Sequence, residues 1–495
     1  MNAPGPFAAR VSRLRQVVRS ITLVLGFAFV SHCIAAPQPP AEPPTPEIAR
    51  RKLNDAEALF EKNPGSVGAK WNLSLHLELL ADTLARESSA GDESEILGCY
   101  TRSAALREEL LKSAIHVAAR GPGVASRDLS VVLAKLGGFL ARRGDTGDVD
   151  KAFAHLKRSL ALAEATLDKP SSSPLAVPDA AMISINLGLC HLNRGHQGDA
   201  DLAIACFTRS LDLTDLNRRN GQVPAIQTHI AAESMCLLGK ALLARNQAGD
   251  LDKALIHLTR GLEIRENALR ANPASADAKR NLSVALEGVA GCLVARRESG
   301  DMPKAIARFE QCIALRNELL AASPDSPEAM RDVVLAERQL GDLLSRRGGP
   351  GRTDDARAHL TSALDLAGQV AKKRPASALA LREALITRIA LGDFLGSHAE
   401  SEESTAALEC YAGGVEMSET LIKASANSLD TLRVVAILHC KLSAGAHNRG
   451  DGPKAEKHGR TALKFLKAAT AKGMKLDADL SRMHEELKEL LNPVL

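Results

Sequence analysis

Gly147, Gly198, Gly249, Gly300 and Gly351 stand 51 residues apart in a chain of 495 residues. Four of them are followed by an aspartate: Asp148, Asp199, Asp250 and Asp301. Ala152, Ala203, Ala254, Ala305, Ala356 and Ala407 keep the same interval, and fifteen residues before each lies a small residue: Gly137, Gly188, Gly239, Ala290, Gly341 and Gly392. Three ladders in register require a repeated structural unit, because a fixed period of this length marks stacked supersecondary elements.

The units read as helix pairs. A large apolar residue precedes most of the small ones, as at Leu136, Leu187 and Leu238, and another follows three residues later, as at Leu140, Leu242 and Leu293. That spacing puts one apolar stripe on a first helix, A. After the glycine turn, Ala254, Leu258 and Gly261 match Ala305, Phe309 and Cys312, which gives a second helix, B, with small residues for close approach. Pro224, Pro273, Pro324 and Pro375 separate one pair from the next, since proline is excluded from helix interiors, and the Asn or Ser before it can cap. With 45% apolar but only 3% aromatic residues, small aliphatic packing must dominate, and an all-α fold is expected. Degenerate copies around Ala81 and Ser443 bring the total to about eight pairs over residues 48–473. Leu476, Leu480, Met483, Leu487 and Leu491 then predict a capping helix within 474–495.

At Leu238-Gly239 with Ala254, Leu258 and Gly261, and at Ala305, Phe309 and Cys312, the chain resembles the tetratricopeptide repeat family. Ser443 and Ala455 are twelve residues apart, which is the family's own spacing. The aromatic positions of helix A depart from the pattern: Met235 and Leu286 stand at one, Leu242 and Leu293 at the other. The turn is longer by three residues and the period is 51, so helices of about 20 residues are expected. The likeness is to long-period arrays of large bacterial proteins. It implies a right-handed α-solenoid, and a non-enzymatic scaffold that binds a protein or peptide partner along a face lined by helix A.

The first 36 residues differ in kind. Arg10, Arg13, Arg15 and Arg19 precede an apolar run from Ile21 to Val30, then small residues to Ala36, then a proline-rich stretch over 37–47. This is the order of a secretory signal, and the run is short of the about 20 residues needed to span a bilayer. Cleavage near Ala35 or Ala36 is expected, leaving an exported protein of the periplasm or cell envelope. The alternatives are an inner-membrane anchor over residues 21–36 and lipidation at Cys33, and only by these would the chain touch a membrane. Without residues 1–36 the chain carries 59 basic and 59 acidic residues, which gives no reason to expect nucleic-acid binding. The cysteines from Cys190 to Cys440 sit singly in apolar helical patterns and read as small core residues, with one or two disulfides left open.

The best-ordered polar feature is an arginine ladder, Arg143, Arg194, Arg245, Arg296 and Arg347, continued by His398 and Arg449. Stacked guanidinium groups can hold an acidic partner. The simpler alternative is an arginine that complements the end of helix A and reaches the turn carbonyls or its Asp. Lys240, Asp342 and Asp393, one residue after the small ladder, are the further partner-binding candidates. Trp71 and Phe60 read either as an anchor for a partner or as the cover of the first repeat. No catalytic residue, metal site or cofactor is assigned: His155, His257 and His359 lie two repeats apart, and His191 with His196 lacks a completing ligand. The run Gly348 to Arg352 lacks the Lys-Ser/Thr of a phosphate loop and reads as a turn. An enzyme with an unrecognised site and a purely structural spacer stand as alternatives to the scaffold.

Overall fold

The computed structural model describes residues 45–87, 92–143, 147–167, 175–196, 198–219, 225–346, 352–397, 401–426, 428–474 and 476–491, and every regular element among them is an α-helix. The leader and Cys33, Arg347, His398 and the glycines of the 348–351 turn lie outside the described residues. Two compact units divide the chain, one ending at Asn267 and the other beginning at Ala268.

The first unit opens with α1 (Pro46–Lys62), followed by α2 (Val67–Glu87), α3 (Glu93–Lys112), a short α4 (Ala114–Arg120), α5 (Pro122–Arg143), α6 (Asp148–Glu164), α7 (Ala176–Arg194), α8 (Asp199–Arg219), α9 (Ala225–Arg245) and most of α10 (Asp250–Ala271). The second contains α11 (Ala276–Arg296), α12 (Asp301–Ala322), α13 (Pro327–Ser345), α14 (Arg352–Lys373), α15 (Ala378–Ser397), α16 (Ser401–Ala412), α17 (Val415–Ser425), α18 (Leu429–Asn448), α19 (Gly452–Ala471) and α20 (Ala478–Leu491). Sequential helices pack as antiparallel pairs. In α5/α6, for example, Arg143 meets Asp148 at the turn while Ser130 Oγ donates to the Ser159 carbonyl at 2.9 Å near the far end. Within each unit the first helices of successive pairs also touch, α5 with α7, α7 with α9, α13 with α15 and α15 with α18.

The small ladder sets how closely each pair packs. A Cβ placed on Gly239 would lie 2.5 Å from Leu258 Cγ; on Gly188, 2.6 Å from the Phe207 ring; on Gly137 or Gly341, 2.7 Å from Leu156 or Leu360. A bulky helix-B residue therefore enters the space that a helix-A side chain would occupy, and the bulky partners in these pairs are fully buried.

The boundaries differ in detail from the sequence reading. Asn272 and Ser323 close the preceding helices, and the caps are the serines after the proline: Ser275 Oγ accepts from Ala278 N at 3.1 Å and Ser326 Oγ from Ala329 N at 3.2 Å. Pro273 and Pro324 thus sit in the turn rather than in the first helical turn. The first helix begins at Pro46, inside the stretch read as linker, because Thr45 caps it. Two features were not anticipated. One is α4, capped by Ser113 and ended by Gly121 at φ 85°. The other is the division of one helix B into α16 and α17 at Gly413-Gly414. The final α20 covers the last pair with Leu480, Leu487 and Leu491, each at most 4% exposed.

Gly188→Val should lower stability by about 1–3 kcal/mol, because the added atoms overlap Phe207. Gly291→Ala, on the same helix type but with open space around it, should be neutral or stabilising by about 0.5–1 kcal/mol. Urea unfolding of both variants checks the pair; equal losses would contradict the close-approach account.

Candidate functional site

Arg143, Arg194, Arg245 and Arg296 each lie in the last turn of a helix A and hold the aspartate that starts helix B. Arg143 places Nε and Nη2 each 2.7 Å from the Asp148 carboxylate. Arg245 meets Asp250 at 2.9 and 2.7 Å, Arg296 meets Asp301 at 3.0 and 2.8 Å, and Arg194 is bidentate to Asp199 in the same way. The aspartates are only 1–2% exposed and accept a further bond from the turn: His196 N to Asp199 at 2.7 Å, Gln247 N to Asp250 at 2.9 Å and Glu298 N to Asp301 at 2.9 Å. The paired arginine and the backbone N–H hold the Asp250 and Asp301 carboxyls below the usual carboxylate range. For Asp199 burial pushes upward, and Arg194, His196 N and His191 more than offset it.

The repeated glycine serves the start of helix B, not the end of helix A. Gly147, Gly198, Gly249 and Gly300 have φ between 78° and 86°, immediately before the helix-B aspartate. The left-handed stop of helix A falls earlier, at Gly195, Asn246 and Arg297, with φ of 64°, 52° and 63°. Two left-handed residues and an Asp-Arg pair thus make one joint.

The other candidates occupy unlike settings. Lys240 is 3% exposed and buried. Asp342 is half-buried, and its carbonyl accepts from Ser345 Oγ at 3.0 Å. Asp393, 40% exposed at the side chain, accepts from Tyr411 Oη at 2.7 Å and from Lys441 Nζ at 2.7 Å. Arg245 also reaches Asp201 at 2.9 Å, and Arg296 reaches Glu298 at 3.3 Å. Arg449, at the end of the ladder, donates to Thr405 Oγ1 at 2.7 Å. Trp71 lies beneath Arg120, 4.2 Å from its ring centroid, with Arg107 at 5.3 Å and His116 at 5.6 Å, so α4 is fastened over it. Phe60 packs against the first unit's core. The eight described cysteines carry free thiols. Among the described residues no group of three or more His, Cys, Asp and Glu is placed to hold a metal ion, and no helix is long and apolar enough to cross a membrane.

A second arginine ladder was missed in the sequence. Arg280 meets Asp332 at 2.8 Å, Arg331 meets Glu383 at 2.5 Å, Arg382 meets Asp430 at 3.0 Å, and Arg433 pairs with Asp477. In the first unit Arg127 pairs with Asp179. These bonds run from one helix A to the next element in line, so they lace successive first helices side to side. The arginines Arg280, Arg331, Arg382 and Arg433 keep the 51-residue interval, which was the available signal. Deeper still, Lys135 Nζ bridges Glu78 and Asp82 at 2.6 Å each, and Arg107 pairs with Glu78. Its counterpart in the second unit is Glu287, held by Arg316 at 2.6 Å and by Gln339 Nε2 at 2.6 Å.

Hairpins of this geometry, joined by one recurrent clamp and laced through helix A, define a tetratricopeptide-like helical repeat protein. No protein-family model matches the chain, and no curated protein matches it. Solved structures do match at low identity. The chain is similar to BtubC from P. vanneervenii at 19% identity, covering 56% of this chain and 91% of that one, with a TM-score of 0.40. It is similar to a Rap protein complexed with competence and sporulation factor at 12% identity, over 86% and 99% of the two chains, with a TM-score of 0.40. The quorum sensor NprR from B. thuringiensis, in its apo form, is similar at 11% identity over 85% and 99%, with a TM-score of 0.46.

Arg296→Ser leaves the buried Asp301 carboxylate with a backbone donor alone, and a loss of about 1–3 kcal/mol is expected. The lowered Asp199, Asp250 and Asp301 carboxyls contribute stability that is full above their unfolded value, about 3.9, and is lost as pH falls through the lower folded values. Urea midpoints of the wild type should therefore fall steeply below about pH 4. The Arg296→Ser chain should show a shallower fall; parallel curves would contradict the clamp.

Proposed function

We propose that this chain is a non-enzymatic scaffold of the long-period tetratricopeptide type that binds a protein or peptide partner along its helix-A face. One observation carries the reading: successive first helices lie side by side and are cross-linked by arginine–carboxylate rungs from Arg280 to Asp477. A row of helices held in fixed register offers a partner an extended, preformed surface, so little ordering cost falls on binding.

Within that reading the arginine ladder acts first on the joints. Arg143, Arg194, Arg245 and Arg296 fix the angle between the helices of each pair through buried aspartates. Asp342 and Asp393 are the candidates with enough exposure to meet a partner directly, whereas Lys240 contributes from beneath the surface. The proposal for residues 1–36 is a cleaved export signal that delivers the scaffold to the periplasm or envelope. The charge balance supports a protein partner over nucleic acid.

Capture from envelope extracts tests the scaffold. The wild type should retain a defined partner, and Asp342→Asn with Asp393→Asn should weaken capture about tenfold while stability falls by no more than about 1 kcal/mol, the scale of the lost Lys441 pair. A combined Arg-to-Ser change at 143, 194, 245 and 296 should lower stability and capture together. Failure of the wild type to retain any partner would overturn the binding reading, and an intact mass that includes residues 1–36 in the periplasmic fraction would overturn the cleaved signal.

A further inference from the structure

Two histidines face each other in the last helix pair. His439 of α18 and His458 of α19 place their Nδ1 atoms 2.9 Å apart. The ring centroids are 5.1 Å apart and the planes 28° from parallel. That centroid distance is close to the nitrogen separation plus two ring radii, so the nitrogens point at one another. One Nδ1–H donates and the other Nδ1 accepts, which requires at least one neutral ring. Nitrogens aimed at each other do not converge on a third point, so the pair is a hydrogen bond rather than a chelate.

The position is repeated elsewhere with a different residue. In α13/α14, Glu337 and His359 hydrogen-bond between the same two places, four residues before the small ladder and three after the helix-B alanine. The last pair therefore has an imidazole where the earlier one has a carboxylate. Lys457 of α19 is the charge that bears on the two rings, and it opposes their protonation. Among the described residues, the charges that shift the rings are Lys457 for both and His458 for His439. The Glu486 of α20 and Lys441 of α18 act on Cys440, not on the rings.

The pair also borders the seat of α20. A Cβ on Gly459, the neighbour of His458, would lie 3.3 Å from Leu491 and 3.4 Å from Leu487. Cys440, the neighbour of His439, shares an apolar cluster with Leu480 and Leu487. A shift of α19 against α18 is thus felt directly by the covering helix.

We infer that His439 and His458 form an acid-sensitive latch: protonating both rings breaks their hydrogen bond, opens α18 against α19 and unseats α20, so the array uncovers its C-terminal end first. The α13/α14 pair responds in the opposite sense, because a protonated His359 strengthens its bond to Glu337. Burial, His458 and Lys457 hold His439 down at about 4, and burial with Lys457 lowers His458. A base lowered in the fold contributes stability that is full above its unfolded value, about 6.5, and is lost as pH falls toward the folded value. The bond from Glu337 raises His359, whose contribution is full below about 6.5 and lost as pH rises through the higher folded value.

Hydrogen exchange of the full chain, corrected for the chemical rate, tests the latch between about pH 7.5 and pH 5. Opening of α18–α20 should rise at least about tenfold relative to α11/α12, while α13/α14 should not follow it. In the double variant His439→Asn, His458→Asn the rise should vanish. A wild-type α18–α20 that tracks α11/α12, or a double variant that keeps the rise, overturns the inference. Should that variant fail to fold, NMR titration of the wild-type imidazoles decides. Depressed, mutually dependent titrations support the latch, and two independent titrations near about 6.5 overturn it.

Discussion

The joint between the two helices of a pair is the constraint on which the remaining packing depends. An arginine at the C-terminal end of one helix and an aspartate at the N-terminal end of the next each occupy the helix end whose dipole favours their charge. Pairing them across the turn satisfies both ends with one bond, and the turn's own N–H completes the buried carboxylate. Because the pair is bidentate, it fixes direction as well as distance. That direction is what lets Leu258 enter the space left open at Gly239 and Phe207 the space at Gly188.

Much of this was legible in the chain because periodicity survives when individual residues do not. The glycine, aspartate and alanine ladders predicted the pairs, the helix lengths near 20 residues and the small-residue approach, and the structure shows 19 to 22 residues in α11 to α15. The role of the glycine was harder to read. A left-handed glycine can end one helix or precede the next, and here Asn246, a residue that tolerates the left-handed region, and Arg297, which does so against the usual preference, take the first task. The second arginine ladder escaped notice because its partners change identity, Asp332, Glu383, Asp430 and Asp477, and because Pro178 and His229 stand where α7 and α9 would continue it. The short α4 had no periodic signal at all, since it belongs to one joint and not to the repeat.

The near balance of charge acquires a physical meaning from these pairings. Acidic and basic residues meet across turns, across successive first helices, and across second helices, as where Arg102 reaches Glu57 at 2.5 Å and Arg209 reaches Glu164 at 3.0 Å. Exposed pairs of the last kind add little stability singly. Their contribution is one of direction more than energy, because each pair ties one second helix to the second helix of the neighbouring hairpin.

The same logic reaches its sharpest form in the interior. Apolar stripes built mainly from leucine and alanine fit any copy of the hairpin about equally well, so hydrophobic stacking alone does not say which pair follows which. The buried clusters do. Glu78 and Asp82 present two negative charges, met by Lys135 and Arg107. Glu287 presents one, met by Arg316 and the neutral Gln339, and Gly291 stands where Asp82 has its counterpart. Each cluster is completed by a residue that its own neighbour supplies, Lys135 in one and Gln339 in the other. Exchanging Lys135 and Gln339 would leave one excess charge buried in either place, at a cost that exceeds the net contribution of the intact cluster to stability. A few buried ions therefore give order to an array whose apolar repeats are nearly interchangeable.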